Sequence, residues 1–353
     1  MNKLTKVGCS ALCGSLAAIS AANAGDLTVT GGADMTWVSK SSSTTGNPLG
    51  IGSNWTLNGS GELDNGWDFT LAIANTNANA FSAATINLNM GGLGSLNFDQ
   101  GSSGNGIAAY DDKMPTAWEE SWGAGLSTGV RLPVGSGASQ NIMYSTPTIL
   151  GTKLTFTVAP DYGTTDTADK TTANSGDTWK NSYDATININ PSLGTEVLSG
   201  LNIFAGASSI EAQDFEASAD DKYQGVGGVT YDIGPLSLGA QVSAEYTGID
   251  DGGKGDANND YNFYKNWAFG VAFNVNDDLS VSYGGWEAKK AGYTDSATVQ
   301  PDESVRTVKV RSIQAAYTMG GASFRIADVK ADNVLWAAGD NQEATIVSLG
   351  LAF

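Results

Sequence analysis

Apolar and polar residues take turns along most of this chain. In the first such segment Leu27, Val29, Gly31, Ala33, Met35 and Trp37 share one parity, and Asp26, Thr28, Thr30, Gly32, Asp34 and Thr36 share the other. Side chains of a strand point alternately to its two faces, so this rhythm predicts a strand with one greasy and one hydrophilic side. Ile51 to Leu63 repeats it, with Trp55, Leu57 and Leu63 apolar, and Asp64-Asn65-Gly66 supplies a tight hairpin turn. Trp67, Phe69, Leu71 and Ile73 form the next apolar face against Asp68, Thr70, Ala72 and Ala74. The pattern continues near 81–90, 95–100, 140–146, 154–158, 183–190, 200–209, 222–233, 236–247, 263–275, 279–289, 306–318, 322–331 and 343–353, giving sixteen strands.

The connections alternate as well. Short turns exchange with long polar stretches at 40–50, 160–181, 210–221, 248–262, 290–305 and 332–342. Short turns at one end and long loops at the other are the asymmetry of a membrane barrel, with its short periplasmic turns and long outer loops. The apolar faces carry aromatics toward their ends, as with Tyr246 on one strand and Trp267, Phe269 and Phe273 on another. Such residues, with Phe353 at the end of the last strand, suit the girdle where a barrel crosses a bilayer. The opposite faces, such as Ser237, Gly239, Gln241, Ser243 and Glu245, predict a wet interior. The expected fold is all-β, a 16-stranded antiparallel transmembrane β-barrel. One strand resists: in 306–318 Val308 and Val310 have one parity and Ile313, Ala315 and Tyr317 the other. A bulge near Ser312 is expected to reconcile them.

From Gly101 to Ser139 the alternation stops. A loop so long inside a compact domain is usually functional or disordered, and Tyr110, Trp118 and Trp122 give this one something to pack with. It carries Asp111, Asp112, Glu119 and Glu120, with Arg131 further along. Residues 101–139 are therefore expected to fold into the lumen and form the constriction of a pore, lined by those five side chains. Pro115 to Trp122, closed by Gly123, is expected to form a short helix.

Composition narrows the chemistry. Lys3 and Lys6, the apolar stretch Val7 to Ile19 and the Ala22-Asn23-Ala24 cleavage site predict a secretory signal over 1–24, leaving 25–353 as the barrel. Both cysteines lie inside that signal and the chain has no histidine. Ser-His-Asp and Cys-His catalysis, and every His- or Cys-ligated metal site, are excluded. Paired carboxylates remain as a glycosidase possibility, but adjacent positions such as 111 and 112 set no catalytic separation. No enzyme activity, cofactor or metal is expected. Asp256, Asn258 and Asp260 start like a calcium loop, yet Tyr261 and Trp267 stand where its glycine and glutamate belong. A net charge of −19 becomes −21 once Lys3 and Lys6 leave with the signal. That disfavours nucleic acid as a partner and favours small cations.

Over its whole mature length the chain resembles a Gram-negative outer-membrane general diffusion porin. The residues carrying the resemblance are the opening strand, GSGELDNGWDF at 59–69, SQNIMYSTPTILGTKLTFTVAP at 139–160, and the alternating end from Ser348 to Phe353. The resemblance implies a homotrimer in the outer membrane, in contact with its lipid, and passive passage of small hydrophilic solutes and ions. It also implies that the third outer loop folds inward, and that Phe353 signals to the barrel-assembly machinery. The basic cluster that such loops face is not evident: between Gly25 and Gln100 the single Lys or Arg is Lys40. By parity Asp34, Glu62 and Asp68 point inward, and Arg325 is the best inward base. A mainly acidic, cation-preferring lumen is expected. The alternatives are a substrate-specific channel and a plugged barrel with a structural or adhesive role.

Overall fold

The computed structural model describes residues 24–41, 48–77, 83–101, 104–163, 179–191, 198–213, 220–248, 263–291 and 306–352. The signal, the calcium-like segment and Phe353 lie outside the described residues, apart from Ala24 at the start of the first strand. The strands are β1 (Ala24–Lys40), β2 (Leu49–Glu62), β3 (Asp68–Thr76), β4 (Ala83–Asn89), β5 (Ser95–Asp99), β6 (Asn141–Ser145), β7 (Thr152–Ala159) and β8 (Trp179–Ile189). They continue as β9 (Leu201–Ala212), β10 (Lys222–Ile233), β11 (Leu236–Tyr246), β12 (Phe263–Asn274), β13 (Leu279–Ala291), β14 (Arg306–Met319), β15 (Ala322–Asp332) and β16 (Gln342–Ala352). Each pairs antiparallel with its neighbours in sequence, and β16 closes the barrel on β1 through pairs from Gly32↔Ala352 to Lys40↔Ala344. Closure leaves the described sheet without an edge strand, since each strand has a hydrogen-bonded neighbour on both sides.

The two-residue rhythm sorts side chains between the outside and the lumen. Leu27, Met35, Ile51, Trp267 and Phe273 face outward and stay exposed, Ile51 at 80% of its full surface. Phe269 and Tyr246 share that outer face by register, Phe269 opposite Ala240 and Tyr246 opposite Phe263. A water-soluble fold would bury such residues, whereas a lipid-facing wall displays them. Asp34, Glu62, Asp68 and Arg325 have the inward parity. The β2–β3 turn closes as its sequence predicts, with Gly66 at φ 79° and its N–H donating to Leu63 O at 2.8 Å.

Two expectations are corrected. No bulge occurs near Ser312, since β14 keeps an unbroken register with β13 and β15. Val308 and Val310 face the lumen and are fully buried there. Lys309 and Arg311 face outward, where Arg311 bonds Glu287 at 2.9 Å and lies 5.5 Å from the Phe269 ring. The change of apolar parity thus marks a change in what the inner face touches, not a fault in the ladder. The interior is also not wet throughout: on β12–β16 it holds a dry apolar core, described below.

Candidate functional site

Between β5 and β6, residues 104–139 lie inside the cylinder, and the neck of this loop hangs on one buried carboxylate. Asp184 projects inward from β8 at 4% exposure. It accepts the Ile107 N–H at 3.0 Å, the Ser136 N–H at 3.1 Å and the Ser136 hydroxyl at 2.9 Å. Both limbs of the loop are thereby tied to one side chain. Gly106 (φ 66°) and Gly135 (φ 46°) make this possible, because a Cβ at either position would collide with the Asp184 carboxylate. Two short 3-10 turns, Gly106–Tyr110 and Gly135–Ala138, form the neck. Tyr110 stacks on the inward ring of Phe204 at 5.2 Å.

Beyond the neck the loop is held by inward amides and hydroxyls of the wall. Gln224 Oε1 accepts the Val134 and Gly135 N–H groups at 3.1 and 2.7 Å. Gln241 Oε1 accepts the Lys113 N–H at 3.0 Å while its Nε2 donates to Asp111 O. Ser282 Oγ accepts from Ala117 N–H at 2.9 Å, and Gln314 Oε1 from Glu119 N–H at 2.8 Å. Asn266 Nδ2 donates to Arg131 O at 2.7 Å. These bonds explain why Pro115 to Trp122 is not the expected helix but a run of bends and turns. Backbone donors of that segment are taken by wall side chains and by Thr116 Oγ1, which accepts from Trp118 N–H at 2.9 Å, instead of by carbonyls four residues back.

The loop's apolar side completes the attachment. Met114, Ala124 and Leu126 are buried with Trp286, Val308, Val310, Val329 and Ile346 of the wall. Burying Met114 and Leu126 contributes roughly 1.5–3 kcal/mol each. Pro115 fits over Gly239 and Gly270, where a Cβ would strike it.

The loop acids differ in environment. Glu119 is the most open of the four, while Asp111, Asp112 and Glu120 are half-buried. Burial, with Asp112 beside it, pushes the Asp111 carboxyl up to about 7. Burial, then Asp112 and Asp111, pushes Glu120 up to about 9, and one of its oxygens is enclosed without a hydrogen-bond partner. Glu119 is also raised by burial, with Arg325 opposing the shift. Arg325 itself bonds Asp34 at 2.9 Å and lies 5.9 Å from the Trp118 ring. Arg131 does not join the acids; it pairs with Glu245 of β11 at 2.8 Å and lies 5.0 Å from the Tyr264 ring. Glu62 and Asp68 form the register pair beside the short β2–β3 turn.

Sequence reasoning passed over several residues. Lys222 is buried on the inner face, 3.4 Å from Glu245, and its ammonium stands 5.4 Å from the ring of Tyr162. Burial pushes the Tyr162 phenol up to about 12. Lys290 lies 4.8 Å from the Trp336 ring. Strand parity placed Glu245 inside, and would have put Lys222 and Lys290 there as well. Asp184 also has inward parity, but its role depends on a loop distant in sequence. Among the described residues no cluster of His, Cys, Asp or Glu is arranged to hold a metal ion.

The profile of Gram-negative porins matches residues 8–353. An anion-selective porin from Comamonas acidovorans superposes with a TM-score of 0.62 at 16% identity, over 93% of this chain and 99% of its own. Salmonella typhi OmpF, solved with daunomycin, gives 0.66 at 12% identity over 93% and 97%. The outer membrane channel DcaP of Acinetobacter baumannii gives 0.64 at 13% identity over 93% and 97%. At such identities the likeness speaks for the fold. No curated protein matches the chain.

Proposed function

Because the chain belongs to the Gram-negative porin family, as an outer-membrane channel and not an enzyme, we propose that it is a homotrimeric general porin with a mild preference for cations. Small hydrophilic solutes and ions pass along a lumen narrowed by residues 101–139. The observation that carries this reading is the loop itself, pinned inside a closed barrel and carrying Asp111, Asp112 and Glu119, the last near the Asp34–Arg325 pair. Among the described residues, four bases of the lumen are engaged by acids or rings: Arg131 and Lys222 by Glu245, Arg325 by Asp34, Lys290 against Trp336. Focusing in a low-dielectric channel then favours cations. Outward Trp267, Phe269, Phe273 and Tyr246 anchor the wall in lipid. Anion selectivity is a property of the Comamonas protein.

Reconstitution into a planar bilayer under a KCl gradient tests the proposal. The reversal potential is expected to show cations passing faster than anions. Joint replacement D111N/D112N/E119Q is expected to lower the cation-to-anion permeability ratio. A ratio unmoved by those three changes would remove the loop from the current path.

A further inference from the structure

The inner wall of β15, β16, β1 and β2 carries a recess of about 440 Å³. Its floor exists because Gly32, Gly52 and Gly350 have no side chains. At Gly350 a Cβ would come within 2.5 Å of Asp34 Oδ1 and 2.6 Å of Arg325 Nη2, so glycine there lets this ion pair lie flat against the wall. The rim adds Asn54, Thr318 and Ser323, the last two joined by a 2.8 Å hydroxyl bond. Arg325 leads from the recess toward the face of Trp118 on the loop.

These groups are chemically selective. Arg325 offers donors only and Asp34 acceptors only, while Asn54 and the hydroxyls offer both. An anion entering the recess meets Asp34 and a cation meets Arg325, so neither gains much over water. A neutral solute with adjacent hydroxyl groups is both donor and acceptor at neighbouring atoms and satisfies the pair together. The volume falls within the range of small-molecule sites. We infer that this recess is a weak binding subsite for neutral polyhydroxylated solutes of mono- or disaccharide size, placed along the route that the porin reading describes and resting on that reading.

Sucrose is the probe. In a planar bilayer at fixed KCl, added sucrose is expected to reduce conductance along a saturating curve. Asn54→Leu keeps the size of the side chain and removes its hydrogen bonding at an exposed position. It is expected to raise the half-saturating concentration about 5- to 10-fold, the loss of one hydrogen bond, with sugar-free conductance and heat-stable assembly unchanged. A decline that merely follows the bulk conductivity of the sucrose solution overturns the subsite, as does an identical titration in N54L. A protein that conducts no KCl at all would instead overturn the porin reading on which the subsite rests.

Discussion

At the scale of single residues, burial divides four acids that look alike in the sequence. Glu120, pushed up to about 9, is neutral at pH 7, whereas Asp111, pushed up to about 7, is half ionised there. Raised carboxyl values mean that the docked loop holds protons which an undocked loop would release near pH 4. Docking is therefore favoured at low pH, and that contribution is lost as pH rises through about 7 for Asp111 and about 9 for Glu120. Charge in the lumen moves the other way, since each ionisation adds a negative group. Cation preference, read from reversal potentials at acidic, neutral and mildly alkaline pH, is expected to increase through the Asp111 transition. In D111N that step should vanish. Glu120→Gln should leave selectivity at pH 7 unchanged, because it replaces one neutral group by another; a large drop in E120Q would show that Glu120 is ionised after all.

At the scale of elements, the loop is a separate module attached to the barrel by a few named contacts. Removing the carboxylate in Asp184→Ala strands the buried Ile107 and Ser136 N–H groups, at about 1–3 kcal/mol for each unsatisfied donor. The ladders of β7, β8 and β9 do not depend on that side chain, so strand content should persist. The expected outcome is larger, noisier single-channel conductance, with new protease cleavage within 101–139. Normal conductance and full protease resistance would mean that the neck is held elsewhere. The strands were legible in the sequence because each reports its own orientation every second residue, and Leu27 to Trp37 needs no other element to be read. The loop was legible by exception, as the place where the rhythm fails. Its conformation was not legible. Whether Pro115 to Trp122 coils depends on Ser282 and Gln314, which belong to strands far along the chain. The same holds for β14, where Val308 and Val310 follow an inner surface that the loop supplies, so a pattern judged within one strand suggested a bulge that is absent.

At the scale of the whole molecule, closure makes the last strand as necessary as the first. β16 pairs with β15 through Ala331↔Gln342 and with β1 through Gly32↔Ala352. Losing that strand would open two edges into lipid, where unpaired backbone groups cost several kcal/mol each. Among the described residues these ladders run as far as Ala352, whose N–H donates to Gly321 O at 2.9 Å. We propose that Phe353 serves as the recognition signal that the porin resemblance implies, a role that experiment separates from a structural one. Refolded in detergent micelles, the chain lacking Phe353 is expected to give the same barrel and the same heat-resistant oligomer as the intact chain. In cells it is then expected to be exported and to accumulate unassembled. A defect of equal size in both settings would assign Phe353 to stability, and a normal level in the outer membrane would remove the terminal signal from the account.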